Sequence, residues 1–192
     1  NIFDTDLKKD IQSLNNIFKT RCLFLAISTG INIYYNGLLM KENINTISSK
    51  FTQESIKIRL DGKYPWDVII GNSGGSFESL SLINGIVVYT GIHIKYLKDI
   101  IVTSLTPKVT KLVSKYITFK PNIIYNNLFI FIVGTIPNPE FSSQSKTDIG
   151  GSNKKYQEYK LSTNDINKIY NLIEPSISQL FLSKLENKKE TK

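Results

Sequence analysis

Few side chains in this sequence are spaced for chemistry. His93 is the single histidine and Cys22 the single cysteine, so neither a His-rich metal centre nor an internal disulfide can be built. His93 stands at the head of a long periodic apolar stretch, where a packed or capping residue is expected. Cys22 lies in the apolar run Cys22–Ile27 and reads as a buried, inert thiol. Asp4 and Asp6 have an Asp-x-Asp spacing that can hold Mg2+. They stand where a helix begins, however, so capping and dipole complementation are the expected roles. Asn72-Ser73-Gly74-Gly75-Ser76 could pass for a phosphate cradle, but it lacks the Lys-Ser/Thr pair and runs into a strand rather than a helix. It reads as a turn. No nucleophile elbow or catalytic cysteine constellation is present. Two groups of cations remain. Lys146, in Gln144-Ser145-Lys146, lies in a polar loop, where a lysine by itself is ordinarily solvated. Lys108, Lys111, Lys115 and Lys120 are dispersed along and after the long periodic stretch. By itself that pattern suits a solvated helix face.

Composition sets the frame for these groups. Lysine and arginine number 24 against 16 acidic residues, a net charge of +8. This fits an anionic partner such as nucleic acid, and fits equally a basic protein kept soluble by its charge. With 41% hydrophobic and 21% charged residues in 192, the chain suits one globular domain, or one domain and part of another. The run at Cys22–Ile27 is far too short to span a bilayer. The opening Asn-Ile-Phe-Asp-Thr-Asp carries no initiator Met and no signal-like core, so the sequence reads as a piece of a longer protein.

The elements that must position these groups follow from periodicity. Leu7, Ile11, Leu14 and Phe18 predict a helix capped by Asp4 or Thr5 and ended at Ser28-Thr29-Gly30. Ile31–Tyr35 reads as a strand turning at Asn36-Gly37, a strong hairpin signal. A helical turn near Ile44–Lys50 and a strand near Ile56–Leu60 follow. Asp61-Gly62-Lys63-Tyr64-Pro65 is turn chemistry and the expected domain boundary. Trp66–Ile70 and Phe77–Val88 are expected as the two strands of a β-hairpin. Ile94, Leu97, Ile101, Leu105, Val109, Leu112 and Tyr116 mark a long helix that Pro107 should divide or kink. Leu128–Val133 is the clearest buried strand. A polar loop over 141–153 precedes a last helix, capped at Ser162-Thr163-Asn164-Asp165 and interrupted at Pro175. The order describes a layered α/β unit and by itself names no function.

Several short motifs, in order, resemble one family. Asn127–Ile132 runs into Ile136-Pro137-Asn138-Pro139-Glu140-Phe141 and then Gln144-Ser145-Lys146. This is similar to the transducer segment of type II DNA topoisomerases, where an aromatic-rich strand leads to an Asn-Pro-x-Phe turn and a Gln-Thr-Lys loop. Trp66-Asp67-Val68, Ser81–Asn84, Gly91-Ile92-His93 with Tyr96, and Asn36-Gly37 match the same family. The resemblance covers roughly Asn36 to Leu161. Its Trp66-Asp67-Val68 and Asn138-Pro139-Glu140-Phe141 forms resemble eukaryotic and large-virus enzymes more than bacterial gyrase.

The resemblance implies an α/β (α+β) fold: a ribosomal-protein-like transducer domain with a mixed β-sheet and long helices over 63–192. A helix and hairpin over 1–62, from the end of a GHKL ATPase domain, would precede it. It implies that Lys146 and Gln144 meet the γ-phosphate of ATP bound in the neighbouring ATPase domain, coupling hydrolysis to DNA strand passage. Ser145 replaces the family's Thr and keeps the hydroxyl. Lys111, Lys115 and Lys120 would lie near DNA, although the family's lysines there are consecutive. Mg2+, the ATP pocket and the DNA-cleaving Tyr would belong to other parts of the parent protein. That parent would be a homodimeric isomerase acting on double-stranded DNA, with no membrane partner. It would work in the nucleus of a cell or in the cytoplasmic factory of a large DNA virus. The alternative is a basic nucleic-acid-binding module on a ribosomal-protein-like fold, indifferent to ATP.

Overall fold

A computed structural model describes the backbone of residues 2–114 and 116–190 and the side chains of 9–114 and 116–181. The first helix, α1 (Ile2–Thr29), ends at Gly30, whose φ of 69° suits a residue without a Cβ. The backbone is already helical at Asp4 and Thr5, so neither is the cap; their side chains lie outside the described residues. The expected apolar stripe of α1 does not face a core. Ile11, Leu14 and Phe18 are 58%, 53% and 57% exposed, and among the described side chains the final third of the helix packs on the core, through Leu23, Phe24 and Ile27; the Leu7 side chain lies outside the described residues. Cys22 is half-buried rather than buried.

Strands β1 (Tyr34–Tyr35) and β2 (Leu38–Leu39) pair across Asn36-Gly37. Both turn residues have positive φ, as the primed hairpin turn demands. A short helix, α2 (Ile44–Ser48), is capped by the Asn43 side chain, which accepts from two backbone N–H groups.

The main sheet contains β3 (Ser55–Leu60), β4 (Trp66–Asn72), β5 (Glu78–Ile83), β6 (Ile86–Val88) and β8 (Leu128–Gly134), ordered β3-β4-β8-β5-β6. Because β3 pairs with β4 from Ser55↔Gly71 to Leu60↔Trp66, the sheet extends on both sides of position 62. At this edge Lys57 and Arg59 both reach Asp67, at 3.7 and 3.0 Å.

The expected hairpin over 66–88 does not form. Strand β8 lies between β4 and β5, antiparallel to the first and parallel to the second. The Asn72–Gly75 turn therefore crosses the start of β8, and the Ser73 N–H donates to the Asn127 carbonyl at 3.2 Å. The segment expected as one strand over 77–88 folds back instead at Asn84-Gly85, where φ is 53° and 77°. Ile83 pairs with Ile86 across a two-residue loop. The dipeptide chemistry that marks residues 36–37 recurs here and overrides the β-propensity of the residues around it.

Both faces of β8 are covered. Ile130 and Ile132 join Val68 and Ile70 beneath two long helices, α3 (Ile92–Val113) and α5 (Thr163–Glu190). Phe129, Phe131 and Val133 face the other way, against α2 and the end of α1. Neither proline breaks its helix: Pro107 and Pro175 are exposed, so the carbonyl deprived of a partner meets water, and the opposite face keeps its packing. Tyr116, expected at the end of the α3 stripe, lies beyond the helix and is 48% exposed. A short α4 (Asn122–Tyr125) leads into β8. The start of α5 is a reciprocal cap: the Asp165 N–H donates to Ser162 Oγ, and the Ser162 N–H donates to Asp165 Oδ2, both at 3.1 Å.

Trp66, the single tryptophan, is fully buried. It stacks on Tyr159 at 4.0 Å between centroids, and its Nε1–H donates to the Thr135 carbonyl. A Cβ on Gly134 would stand 2.3 Å from Trp66 Cδ1. Gly134→Ala is therefore expected to destabilise the fold by about 1–3 kcal/mol through overpacking. The change should shift Trp66 fluorescence in the native protein; an unchanged denaturation midpoint and emission spectrum would refute this packing.

Candidate functional site

The loop expected to carry Gln144 and Lys146 leaves the fold after Phe141 and returns at β9 (Asp148–Ile149). Strand β9 pairs in parallel with β7 (Thr90–Gly91), which leads directly into α3. Between these ends, residues 142–146 are exposed. A bridge between Phe141 and Ile149 closes the base, where the Gly150 N–H donates to the Glu140 carbonyl at 2.7 Å. Inside the loop the hydroxyls of Ser143, Ser145 and Thr147 form a chain, at 2.7 and 3.1 Å. Lys146 has a φ of 57°, a left-handed conformation that costs a residue with a Cβ about 1–2 kcal/mol. Its ammonium rests 5.7 Å from the centroid of the Phe141 ring. A cation–π contact of this exposed kind is worth about 0.5–1 kcal/mol, so the lysine can leave it at little cost. Gln144 shares the loop and is exposed.

The loop also borders a cleft of about 740 Å³ between α1 and β6. Its polar lining includes Arg21, Thr20, Ser145 and Lys146, and its apolar wall includes Phe24 and Val87. Arg21 escaped the sequence reading because nothing in its local pattern says that α1 folds beside this loop.

The lysines are divided by the fold. Lys108 donates to Asn167 Oδ1 and sits 5.2 Å above the Tyr170 ring, so it is held against α5. Lys111 and Lys120 are exposed. Lys115 lies outside the described residues. Among the described residues no group of three His, Cys, Asp or Glu is placed to hold a metal ion. No described helix is long and apolar enough to cross a membrane.

His93 is fully buried in the first turn of α3, and its Nε2 lies 2.8 Å from Ser81 Oγ. Ser81 Oγ donates its proton to the Val88 carbonyl at 2.8 Å, so it accepts from Nε2–H. This assigns the imidazole tautomer and leaves Nδ1 without a hydrogen-bond partner. Burial depresses the His93 pKa to about 4, against a smaller upward pull from Asp148. The neutral ring is structural, as expected from sequence. Next to it, a Cβ on Gly91 would stand 2.8 Å from the Ile149 carbonyl oxygen. Gly91, with a φ of 152°, permits the close approach of the loop's return strand to the head of α3.

Comparison with known proteins agrees with this architecture. No family model matches the chain. The ATPase region of topoisomerase II from Saccharomyces cerevisiae superposes with a TM-score of 0.70 and 26% identity, covering 85% of this chain and 44% of that one. The ATPase and transducer domains of DNA topoisomerase II from Balamuthia mandrillaris share the fold, with a TM-score of 0.72 and 19% identity over 88% of this chain and 44% of that one. The fold is thus that of the ATPase and transducer region of a type II topoisomerase. In sequence, the chain is 39% identical over 87 residues to the DNA topoisomerase 2 of Meyerozyma guilliermondii, covering 44% of this chain and 6% of that protein. The resemblance to eukaryotic-type DNA topoisomerase II is borne out, over a small fraction of its relatives' length.

The buried His93 has a consequence in acid. Its folded pKa of about 4 lies below the ordinary 6.5, so the unfolded chain binds the proton more readily. Stability is complete above pH 6.5 and falls as pH drops toward 4, by up to about 3 kcal/mol. Asp148 acts in a lower window: hydrogen bonds from Ser142 and then Thr90 lower its pKa below 3.8, so its contribution fades only below that value. Denaturant titrations at pH 7, 5.5 and 4.5 should show the loss, and His93→Gln should flatten it. An equal slope in the two proteins would exclude His93 as its origin.

Proposed function

We propose that this chain is the ATP-responsive transducing part of a type II DNA topoisomerase, with its N-terminal segment completing an ATPase domain and the five-stranded sheet, β3 included, forming the transducer with α3 and α5. The observation that carries the reading is the exposed 142–146 loop, whose return strand pairs with the lead-in to α3. In this reading Lys146 leaves Phe141 and contacts the terminal phosphate of ATP held by the neighbouring ATPase domain. A flexible point charge suits a contact that forms on binding and is lost on hydrolysis. Gln144 donates a hydrogen bond to the same phosphate. The loop then displaces α3, and α3 with α5 carries the change toward DNA.

Mg2+ and the hydrolytic base fall to other parts of the parent protein, and so does the tyrosine that cuts DNA. The parent would be a homodimeric enzyme that passes one duplex through another, in the nucleus or in a viral factory. Lys111 and Lys120 are exposed, and in this reading they, with Lys115, would contact DNA phosphates without reading sequence. Lys108 is already engaged by α5 and is set aside. The rival reading, a basic nucleic-acid module indifferent to ATP, is not favoured, since the matched structures are ATPase regions.

In the full-length protein, Lys146→Ala should lower DNA-stimulated ATP turnover by about 10²-fold, the typical loss of one preorganised charge contact in a transition state. Nucleotide binding should survive. Turnover within twofold of wild type would overturn the γ-phosphate role.

A further inference from the structure

We propose that the Asp148 carboxylate is the latch through which the Lys146 loop moves α3. This deepens the function proposed above and rests on it. Asp148 stands at the loop's return, two residues beyond Lys146. Thr90 Oγ1 donates to its Oδ1 at 2.7 Å, and Ser142 Oγ donates to its Oδ2. Ser142 is the first residue of the loop, and Thr90 stands two residues before α3. One carboxylate therefore ties together the entry of the loop, its exit and the lead-in to the helix. The backbone repeats the connection only briefly: β7 and β9 share two residue pairs, and the Tyr89 N–H donates to the Thr147 carbonyl at 3.0 Å.

The placement suits a contact that is made and broken. Thr90 and Ser142 are exposed and Asp148 is half-exposed, so water can replace either hydroxyl. A hydrogen bond to an ionised acceptor is strong for its size, yet in contact with solvent it costs little to exchange. By contrast, the bond from Ser81 to His93, three residues beyond Thr90, is buried and would resist exchange. Displacing Lys146 pulls on Asp148, and Asp148 pulls on Thr90. Gly91 follows, because its backbone already touches Ile149. Asp148 acts through Thr90 and touches neither nucleotide nor DNA, so it is a positioning residue.

The test is made in the full-length protein by measuring ATP hydrolysis and strand passage on supercoiled DNA in the same reaction. For Asp148→Ala and Thr90→Val we expect hydrolysis within about 3-fold of wild type. Strand passages per ATP should fall about 5-fold or more, the loss expected of one to two charge-assisted hydrogen bonds. Thr90→Ser keeps the donor and should restore the ratio. Thr90 is exposed, so its variants should fold, and a melting curve checks this. An unchanged ratio in folded Thr90→Val would overturn the proposal, as would failure of Thr90→Ser to restore it. Hydrolysis that collapses with the ratio would also overturn it, since Asp148 would then act on the nucleotide site. If Lys146→Ala keeps its turnover while these variants uncouple, the γ-phosphate role fails and the latch stands.

Discussion

Strand β8 takes its place between β4 and β5 before any functional geometry is possible. Six of its seven residues are buried, alternately beneath the long helices and against α1 and α2. At about 1.5–3 kcal/mol for each buried apolar side chain, that insertion outweighs the surface ion pairs of β3, which contribute about 0–1 kcal/mol each. Its consequences run outward. The chain leaving β8 at Gly134 passes under Trp66 and enters the Asn-Pro-Glu-Phe turn, so the loop's starting point is set by the sheet. The parallel pairing of β5 with β8 orients β6, and β6 hands the chain to β7 and to the head of α3. Loop and helix meet because both are delivered to the same corner of the sheet.

That corner holds two polar contacts of opposite character. Ser81 and His93 meet in the dry interior, where an imidazole has to stay neutral to remain. Thr90, Asp148 and Ser142 meet in contact with water and carry a full charge. The first fixes where α3 begins against the sheet. The second joins the same helix to a loop that is strained at Lys146 and rests lightly on Phe141. Along the chain only Gly91 and Ile92 lie between Thr90 and His93, and the missing Cβ of Gly91 leaves room for both the Ile149 carbonyl and the His93 ring.

Much of this was legible in the sequence, and the exceptions share a cause. The hairpin at Asn36-Gly37, the Ser162–Asp165 cap and the buried run of β8 are local signals, and the chain obeys them. Asn84-Gly85 is the same kind of local signal, and in the fold it wins over the β-rich residues on either side, whose run predicts one continuous strand. The insertion of β8 between β4 and β5 has no local signal, because strand pairing is chosen by what covers each face. The exposed stripe of α1 misleads for the same reason: periodicity marks an amphipathic helix but cannot name the surface that receives it. The motif residues Gln144 and Lys146 stood out through their resemblance to a known loop. Thr90 and Asp148, 58 positions apart, carry no such mark, and only the tertiary fold makes them partners. The prolines of α3 and α5 show the reverse limit, since a helix breaker does little where its lost bond faces solvent.

The outer edge of the main sheet has a bearing on behaviour in a crowded solution. Strand β3 presents six residues with no strand beyond them among the described residues, a template on which a second sheet could grow. Lys57 and Arg59 stand on its solvent face and share the single carboxylate of Asp67. Two copies approaching margin to margin would bring these cations close together, and their repulsion would oppose edge-to-edge pairing. The opposite margin, β6, is three residues long and offers little to extend. The exposed edge thus carries charges that oppose fibrillar self-association, drawn from the chain's excess of lysine and arginine.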